Sequence, residues 1–234
     1  MGQRLSFYER YYSIIKFGIT AIILALGMET ETTRDISIED GDAEVLEKEN
    51  RRNVWTLRSV CMITGASRGL GHRMAVRFAE RLPLNSVILL VARDKSGISN
   101  TAAAIAKLRP DVRVSMWSVD LSEVTESIVS DYLAGVWEDL CIAPEEFEQA
   151  ILVHNAGSTG NISEWLIDQS DAGELDKYWR LNLTSPVILN AVFWKFFVGK
   201  NTQRVAINIS SLCAQQAFRS WSLYCAGMFN ALCI

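Results

Sequence analysis

A serine and a tyrosine near the end of the chain have a spacing that suits proton transfer. Ser211 follows a short apolar run, and Tyr224 lies thirteen residues further on. If Ser211 ends a strand and Tyr224 opens the next helix, both hydroxyls reach the same edge of a sheet. One hydroxyl can then position a carbonyl group while the other exchanges a proton with it. The pair therefore predicts acid–base chemistry on a carbonyl compound.

A glycine-rich segment lies between an apolar run and a helical pattern, and it reads Thr64-Gly65-Ala66-Ser67-Arg68-Gly69-Leu70-Gly71. The start of a helix offers unpaired N–H groups and a partial positive charge, which together bind phosphate. Glycines let a pyrophosphate come close to the backbone. We therefore predict a dinucleotide site, and the alternative is a tight turn that only packs. The predicted cofactor-binding residues of this segment are Gly65, Ser67, Arg68, Gly69, Leu70 and Gly71.

The residues after the second apolar run indicate which dinucleotide binds. Folds that bind NAD usually have an acidic residue there for the ribose 2′-hydroxyl, but this chain has Ala92-Arg93-Asp94. A guanidinium binds phosphate with two hydrogen bonds, so Arg93 fits the 2′-phosphate of NADPH, and Arg68 can contact the same anion. Asp94 favours NADH instead, and a solvated Arg93 is the alternative. The sequence favours NADP(H) as the cofactor.

Two further candidate cofactor contacts follow predicted strands. Asp120 and Leu121 come after the third strand, and the turn Asn155-Ala156-Gly157 comes after the fourth. Cofactors lie across the carboxyl ends of the strands in open α/β sheets. Asp120 can therefore meet the adenine ring, and the small turn of Asn155, Ala156 and Gly157 can accommodate a ribose. Turn formation and helix capping are the alternatives, above all for Asp120.

Five apolar runs alternate with helical segments in the second part of the chain. The runs are residues 60–63, 87–91, 112–114, 151–153 and 205–207. Because consecutive positions are apolar, we expect helices to cover both faces of the strands, as in a parallel sheet. Crossover helices are predicted near residues 70–82, 97–108, 122–138 and 174–198. The predicted fold is an α/β, Rossmann-like, doubly wound parallel sheet that is incomplete at its C-terminal edge.

The chain before residue 58 differs from the rest. Residues 1–28 form an apolar N-terminal segment that reads as a signal or an anchor, or as sequence that is not translated. Residues 29–57 form a predicted flexible linker, since nine acidic and four basic side chains lie between positions 29 and 52. The predicted nucleotide-binding domain covers residues 58–234.

Composition and short motifs limit the classes of molecule that the chain is expected to bind and the compartment in which it is expected to reside. The 234 residues carry a net charge of −4, which offers no basic surface to a nucleic acid. Two histidines and five cysteines lack metal-ligand spacing, so no metal site is predicted and small molecules are the expected partners. N-glycosylation motifs at Asn182 and Asn208 fall in predicted core elements, which favours a cytoplasmic location. Membrane association through residues 11–28 is the alternative.

The motifs together resemble those of the short-chain dehydrogenase/reductase family. That family has the patterns TGxxxGxG, NAG and Ser…Tyr-x-x-x-Lys, which match Thr64 to Gly71, Asn155 to Gly157, and Ser211 with Tyr224. The strings CMITGASRGLG, YWRLNLTS and NISSLCAQQAFRSWSLYCAG are similar to the members that reduce pterin side-chain ketones in tetrahydrobiopterin formation. The resemblance runs from about Val60 to Gly227.

The resemblance implies an NADPH-dependent oxidoreductase, and a homodimer if the chain is complete. It implies that Ser211 orients the carbonyl and that Tyr224 is the general acid, with Asn182 as the third catalytic residue. Pro186 has no N–H to offer to the Asn182 carbonyl four positions earlier, which leaves that carbonyl for water or merely kinks the helix.

Two departures from the family pattern point to a second function. Met228 stands where the family has its lysine, and the chain ends at Ile234, before the family's later strands and loops. A nearby ammonium would favour the phenolate of Tyr224, and a thioether does not. We therefore expect little or no activity. The alternative function is a non-catalytic, truncated fragment that at most binds nucleotide or a full-length partner.

Overall fold

The computed structural model describes residues 55–162, 169–216 and 218–231. The predicted N-terminal segment, most of the predicted linker and the final residue Ile234 lie outside this range. Within the described residues no helix is long and apolar enough to cross a membrane.

Five strands and six α-helices alternate along the described chain. The strands are β1 (Ser59–Thr64), β2 (Val87–Ala92), β3 (Arg113–Ser118), β4 (Gln149–His154) and β5 (Gln203–Asn208). The helices are α1 (Gly69–Arg81), α2 (Lys95–Leu108), α3 (Glu126–Leu140), α4 (Ala172–Trp179), α5 (Ser185–Lys195) and α6 (Ser222–Ala231). Each run that was predicted to be a strand forms one, although the third begins at Arg113 and continues to Ser118.

The five strands form one parallel sheet in the order β3-β2-β1-β4-β5. The chain reverses its direction of travel across the sheet between β1 and β4, and such a switch point opens a crevice at the carboxyl ends of the strands. The Rossmann-like fold predicted from the sequence is therefore confirmed. The glycine-rich segment follows β1 and the Asn155 turn follows β4, so both lie at this crevice.

Burial separates the three central strands from the two edge strands. Every residue of β1, β2 and β4 is buried, as the continuous apolar runs predict. The expectation that both faces of every strand are covered was wrong for β3 and β5. All residues of these two strands are half-buried or exposed, and Met116 in β3 is 49% exposed. An edge strand has a neighbour on one side only, so its outer residues lose the cover that central strands receive.

Two layers of apolar side chains cover the two faces of the sheet. One layer is built on Phe78, Ile98 and Ile105 from α1 and α2, and the other on Phe193 and Leu133 from α5 and α3. Since α1 and α2 cover one face while α3 and α5 cover the other, the strand ends are held in place from both sides. This double cover is what fixes the positions of the loops at the crevice.

The predicted helix over 174–198 is divided in two. A π-helical turn, Arg180–Thr184, separates α4 from α5, and Pro186 lies in the first turn of α5. Proline has no N–H for an α-helical hydrogen bond and interrupts the regular pattern four residues back. The irregular turn contains Asn182, which places this residue at a break in the helix and not along a regular helix face.

His154 at the end of β4 is a buried residue. Its Nε2 lies 3.2 Å from Asn190 Oδ1, which also accepts a hydrogen bond from Trp194 Nε1. Since Asn190 Oδ1 is an acceptor, Nε2 carries the ring proton, and the buried Nδ1 has no partner among the described residues. Burial lowers the pKa of His154, while the bond to Asn190 works in the opposite direction.

We expect the buried imidazole of His154 to make the folded protein less stable at acid pH. The unfolded chain protonates His154 near its ordinary pKa of about 6.5, but the folded chain resists protonation, so stability falls as pH decreases below about 6.5. The slope for one proton is at most about 1.4 kcal/mol per pH unit. Urea unfolding of the protein and of His154→Gln at about pH 7 and about pH 5 measures this. Equal losses in both proteins would contradict the assignment.

Candidate active site

The glycine-rich turn after β1 is packed too tightly for side chains at two of its glycines. A Cβ at Gly71 would lie 2.2 Å from the Gly65 carbonyl oxygen, and one at Gly65 would lie 2.7 Å from Asn155 Nδ2. Gly65 and Gly69 both have positive φ, 67° and 57°. A Cβ at Gly69 would meet nothing within 4 Å, so the turn is open on that side. The backbone forms a cradle that can admit a pyrophosphate.

Helix α1 begins at this cradle, and no side chain caps its first turn. Arg68 occupies the N-cap position, but its side chain makes no capping hydrogen bond. The N–H groups of the first turn are therefore not taken by that side chain, and the helix dipole adds partial positive charge. Leu70 packs partly against the core beneath, while Ser67 is half-buried above it. Phosphate binding by these residues stays a prediction.

Thr64 and Asn155 join the cradle to the turn after β4. Thr64 Oγ1 donates to the Val153 carbonyl and accepts from the N–H groups of Asn155 and Ala156, at 2.9 and 3.0 Å. Asn155 Nδ2 donates to the Thr64 carbonyl at 2.9 Å. These bonds cross the switch point between β1 and β4. Asn155 therefore fixes the cradle, and the exposed Gly157 continues the turn beyond it.

Arg93 at the end of β2 presents its guanidinium to solvent. Its side chain is 81% exposed, and Nη1 lies 3.2 Å from Asp120 Oδ2. Asp94, the residue that favoured NADH, caps helix α2 by accepting a hydrogen bond from the Gly97 N–H at 3.1 Å. A Cβ at Gly97 would lie 2.6 Å from Ser67 Cβ, so the start of α2 packs against the cradle. Arg93 and the cradle are thus on the same edge.

Asp120 is the cap of a short turn, the alternative that its sequence context left open. Its Oδ1 accepts hydrogen bonds from both the N–H and the hydroxyl of Ser122, at 2.9 and 2.7 Å. Burial works to raise the pKa of Asp120, but the bonds from Ser122 and Arg93 outweigh it and hold that pKa below its usual range. Leu121 buries its side chain in the core, so only its backbone can face a cofactor.

Asn182 braces the loop beyond the Asn155 turn. Its Oδ1 accepts a hydrogen bond from the Ser158 N–H, and its Nδ2 donates to the Tyr178 carbonyl, both at 3.0 Å. The residue is only 4% exposed. A Cβ at Gly157 would lie 3.0 Å from Asn182 Oδ1, so this glycine allows the close approach. The side chain of Asn182 therefore holds backbone in place.

Ser211 and Tyr224 lie on two elements that are bonded to each other. Ser211 follows β5 and caps a 3₁₀ turn, Leu212–Ala214, where its Oγ accepts from the Cys213 N–H at 3.3 Å. Tyr224 is in the first turn of α6 and meets the ring of Trp221 edge-on at 5.7 Å. Ser210, next to Ser211, donates its hydroxyl to the Met228 carbonyl at 2.7 Å. This bond holds the strand end against the helix.

Met228 buries an uncharged side chain one helical turn after Tyr224. It is 8% exposed, and positions four apart lie on the same face of a helix. The thioether carries no charge and donates no hydrogen bond. The position at which the resemblance implies a lysine therefore holds a residue that cannot assist ionisation of Tyr224.

Tyr178 is a structural part of this site that the sequence did not reveal. Its hydroxyl donates to the Leu223 carbonyl at 2.9 Å, and a Cβ at Gly227 would lie 2.4 Å from the Tyr178 hydroxyl oxygen. Burial, followed by the charges of ionised Tyr224 and Cys225, raises the pKa of Tyr178, so the phenol stays neutral and donates. Its signal in the sequence is faint, because an aromatic residue in a helix usually means core packing.

A cleft of about 590 Å³ lies beside these residues. Its lining includes Arg93, Asp120, Tyr178 and Leu223. Leu223 is the residue before Tyr224 in the sequence. The size of the cleft suits a small organic molecule. The described residues contain no group of three or more His, Cys, Asp or Glu side chains that could hold a metal ion.

A parallel sheet with a glycine cradle at its switch point defines a nucleotide-binding α/β protein. Residues 59–230 match the family described as short chain dehydrogenase. The chain therefore belongs to the short-chain dehydrogenase family, oxidoreductases that use NAD or NADP.

Individual relatives agree with this family. The chain is 38% identical over 170 residues to sepiapterin reductase of Rattus norvegicus, covering 72% of this chain and 63% of the relative. It is 37% identical over 169 residues to sepiapterin reductase of Xenopus tropicalis, again covering 72% and 63%. The bulky-bulky ketone specific alcohol dehydrogenase of Comamonas testosteroni superposes with a TM-score of 0.59 at 26% identity, over 75% of this chain and 63% of that one. The chain thus spans under two thirds of these relatives' length.

Proposed function

We propose that this protein is an NADPH-dependent carbonyl reductase of the sepiapterin reductase type. Its proposed substrates are ketones in the side chains of pterins, as in tetrahydrobiopterin biosynthesis. One observation carries the proposal: the glycine cradle, Arg93 and Ser211 all follow the carboxyl ends of strands in one parallel sheet. The 38% identity to the rat reductase supports the choice of pterins over other carbonyl compounds.

The cradle would hold the pyrophosphate, and Arg93 would hold the 2′-phosphate. NADPH, when bound, would supply a hydride to the carbonyl carbon. Ser211 Oγ accepts from the Cys213 N–H at 3.3 Å, and the Ser211 hydroxyl would donate its own proton to the carbonyl oxygen of the substrate. Tyr224 would give that oxygen a proton as general acid. Asn182 acts as a positioning residue, because its side chain is committed to the Ser158 N–H and the Tyr178 carbonyl.

A second candidate function is nucleotide binding with little or no catalysis. The buried thioether of Met228 favours it, since no charge at that position promotes proton transfer at Tyr224. The two candidates share the nucleotide site and differ in turnover. Binding of a homodimer partner and residence in the cytoplasm stay predictions.

We expect Arg93→Ala to weaken NADPH binding much more than NADH binding. A charge-assisted bond to the 2′-phosphate contributes about 1.5–3 kcal/mol, or roughly a tenfold to hundredfold change in Kd. Alanine is preferable to aspartate, because a carboxylate there would face Asp120. Titration of each variant with both nucleotides measures the effect.

Arg77→Ala is the matched control. Arg77 lies on α1 and pairs with Glu80. Its substitution by alanine removes one positive charge, as the substitution of Arg93 does. It should leave both affinities unchanged. Equal weakening of NADPH and NADH by Arg93→Ala would remove Arg93 from the phosphate site.

A further inference from the structure

Two thiols lie together beside the hydroxyls of Ser211 and Tyr224. Cys213 lies in the 3₁₀ turn that Ser211 caps, and Cys225 follows Tyr224 in α6. The 3₁₀ turn and helix α6 pack against each other, and the Cys225 side chain lies close enough to the Cys213 thiol to contribute to raising its pKa. The Cys225 Sγ also donates to the carbonyl of Gln216 at 3.7 Å, which directs it toward the turn. The fold therefore brings together two cysteines that are twelve positions apart in the sequence.

The surroundings of the two thiols differ. Cys213 is only 2% exposed, whereas Cys225 is half-buried at the surface of α6. Burial raises the pKa of the Cys213 thiol, and the neighbouring Cys225 adds to that rise. A buried, protonated thiol reacts slowly with oxidants, and the more accessible thiol reacts first. Cys225 is thus the attacking residue of the pair and Cys213 is positioned to resolve its oxidised form.

We propose that Cys213 and Cys225 form a reversible disulfide when the protein meets a peroxide. The Cys225 sulfur, losing its proton, attacks one oxygen of hydrogen peroxide and breaks the O–O bond, which gives a sulfenic acid and water. The Cys213 sulfur then displaces the sulfenic hydroxyl, which leaves with the Cys213 proton as a second water. Both thiols are oxidised by two electrons in total, and one peroxide is reduced to two waters. A dithiol reductant reverses the bond.

The disulfide would connect the two elements that carry the proposed catalytic hydroxyls. Cys213 is two residues from Ser211 and Cys225 is one residue from Tyr224. A covalent S–S bond of about 2.05 Å holds sulfurs closer than any hydrogen bond between thiols. The 3₁₀ turn and the start of α6 would be drawn together. Formation of the bond does not depend on the proposed function, whereas its consequence for carbonyl reduction does.

Peroxide treatment of the folded full chain followed by mass spectrometry tests the proposal. Free thiols are alkylated after treatment, and the protein is digested with trypsin. We expect the peptide containing Cys213 to be linked to the one containing Cys225, and the link to disappear with dithiothreitol. Cys233 lies on the same tryptic peptide as Cys225, so the experiment uses Cys233→Ser as the parent protein. The link should form faster in the folded protein than in urea.

Two cysteine substitutions test whether the link is specific to Cys213 and Cys225. Cys141 is exposed and offers a competing thiol, so Cys141→Ser should leave the link unchanged. Cys225→Ser should abolish it and leave Cys213 reduced. A Cys225 that proceeds to sulfinic acid while Cys213 stays a thiol would overturn the proposal. So would a link between Cys213 and Cys141, or a link that forms as fast in urea as in the folded protein.

Discussion

Reduction of sepiapterin with NADPH is expected to be roughly 10²- to 10⁴-fold slower with this chain than with rat sepiapterin reductase assayed beside it. The reason is the buried Met228, which lies one helical turn from Tyr224. An ammonium at that position lowers the pKa of a neighbouring tyrosine by favouring the phenolate. Without it, the acid that must give its proton to the carbonyl oxygen is poorly matched to neutral pH.

Two controls accompany this rate measurement. Binding of NADPH is measured on the same preparation, so that a low rate is not confused with a missing cofactor. Any residual activity should fall further in Tyr224→Phe, which keeps the ring and removes the proton donor. Turnover within about tenfold of the rat reductase would contradict the role given to Met228.

Gly71→Ala should destabilise the protein and abolish nucleotide binding. The new Cβ would lie 2.2 Å from a backbone carbonyl oxygen, at Gly65, and 2.6 Å from Asn155 Nδ2. Backbone cannot move aside as a flexible side chain can, so we expect a loss of about 3 kcal/mol in the free energy of unfolding. Urea unfolding and nucleotide titration measure the two effects.

Gly135→Ala is the control for that substitution. Gly135 lies within α3, and a Cβ there would meet nothing within 4 Å. Alanine in a helix interior is about 0.5–1 kcal/mol more favourable than glycine, so this variant should be slightly more stable. If both alanine variants behave alike, the close packing of the cradle is not what requires Gly71.

The parts of the fold that could be predicted depend on short stretches of sequence. Continuous apolar runs revealed β1, β2 and β4, and the glycine cradle is a local motif between strand and helix. The exposure of β3 and β5 follows from their place at the sheet edges, which a run of apolar letters does not contain. The alternative reading of Asp120 as a cap was available because Ser122 lies two residues away.

The sequence could not predict the contacts between residues that lie far apart along the chain. Tyr178 bonds to the carbonyl of Leu223, forty-five positions away, and nothing near either residue signals that bond. The same holds for the pairing of Arg93 with Asp120 across two strand ends. A candidate site could therefore be assembled from motifs, but the residues that brace it became visible only in three dimensions.

Titration of the folded chain with NADPH and with NADH tests most directly whether the crevice between β1 and β4 is a nucleotide site. Folding is checked first by cooperative urea unfolding. We expect one molecule of NADPH to bind per chain, at least about tenfold more tightly than NADH, a difference of about 1.4 kcal/mol. A chain that unfolds cooperatively and yet binds neither nucleotide would contradict the proposed function and its non-catalytic alternative together.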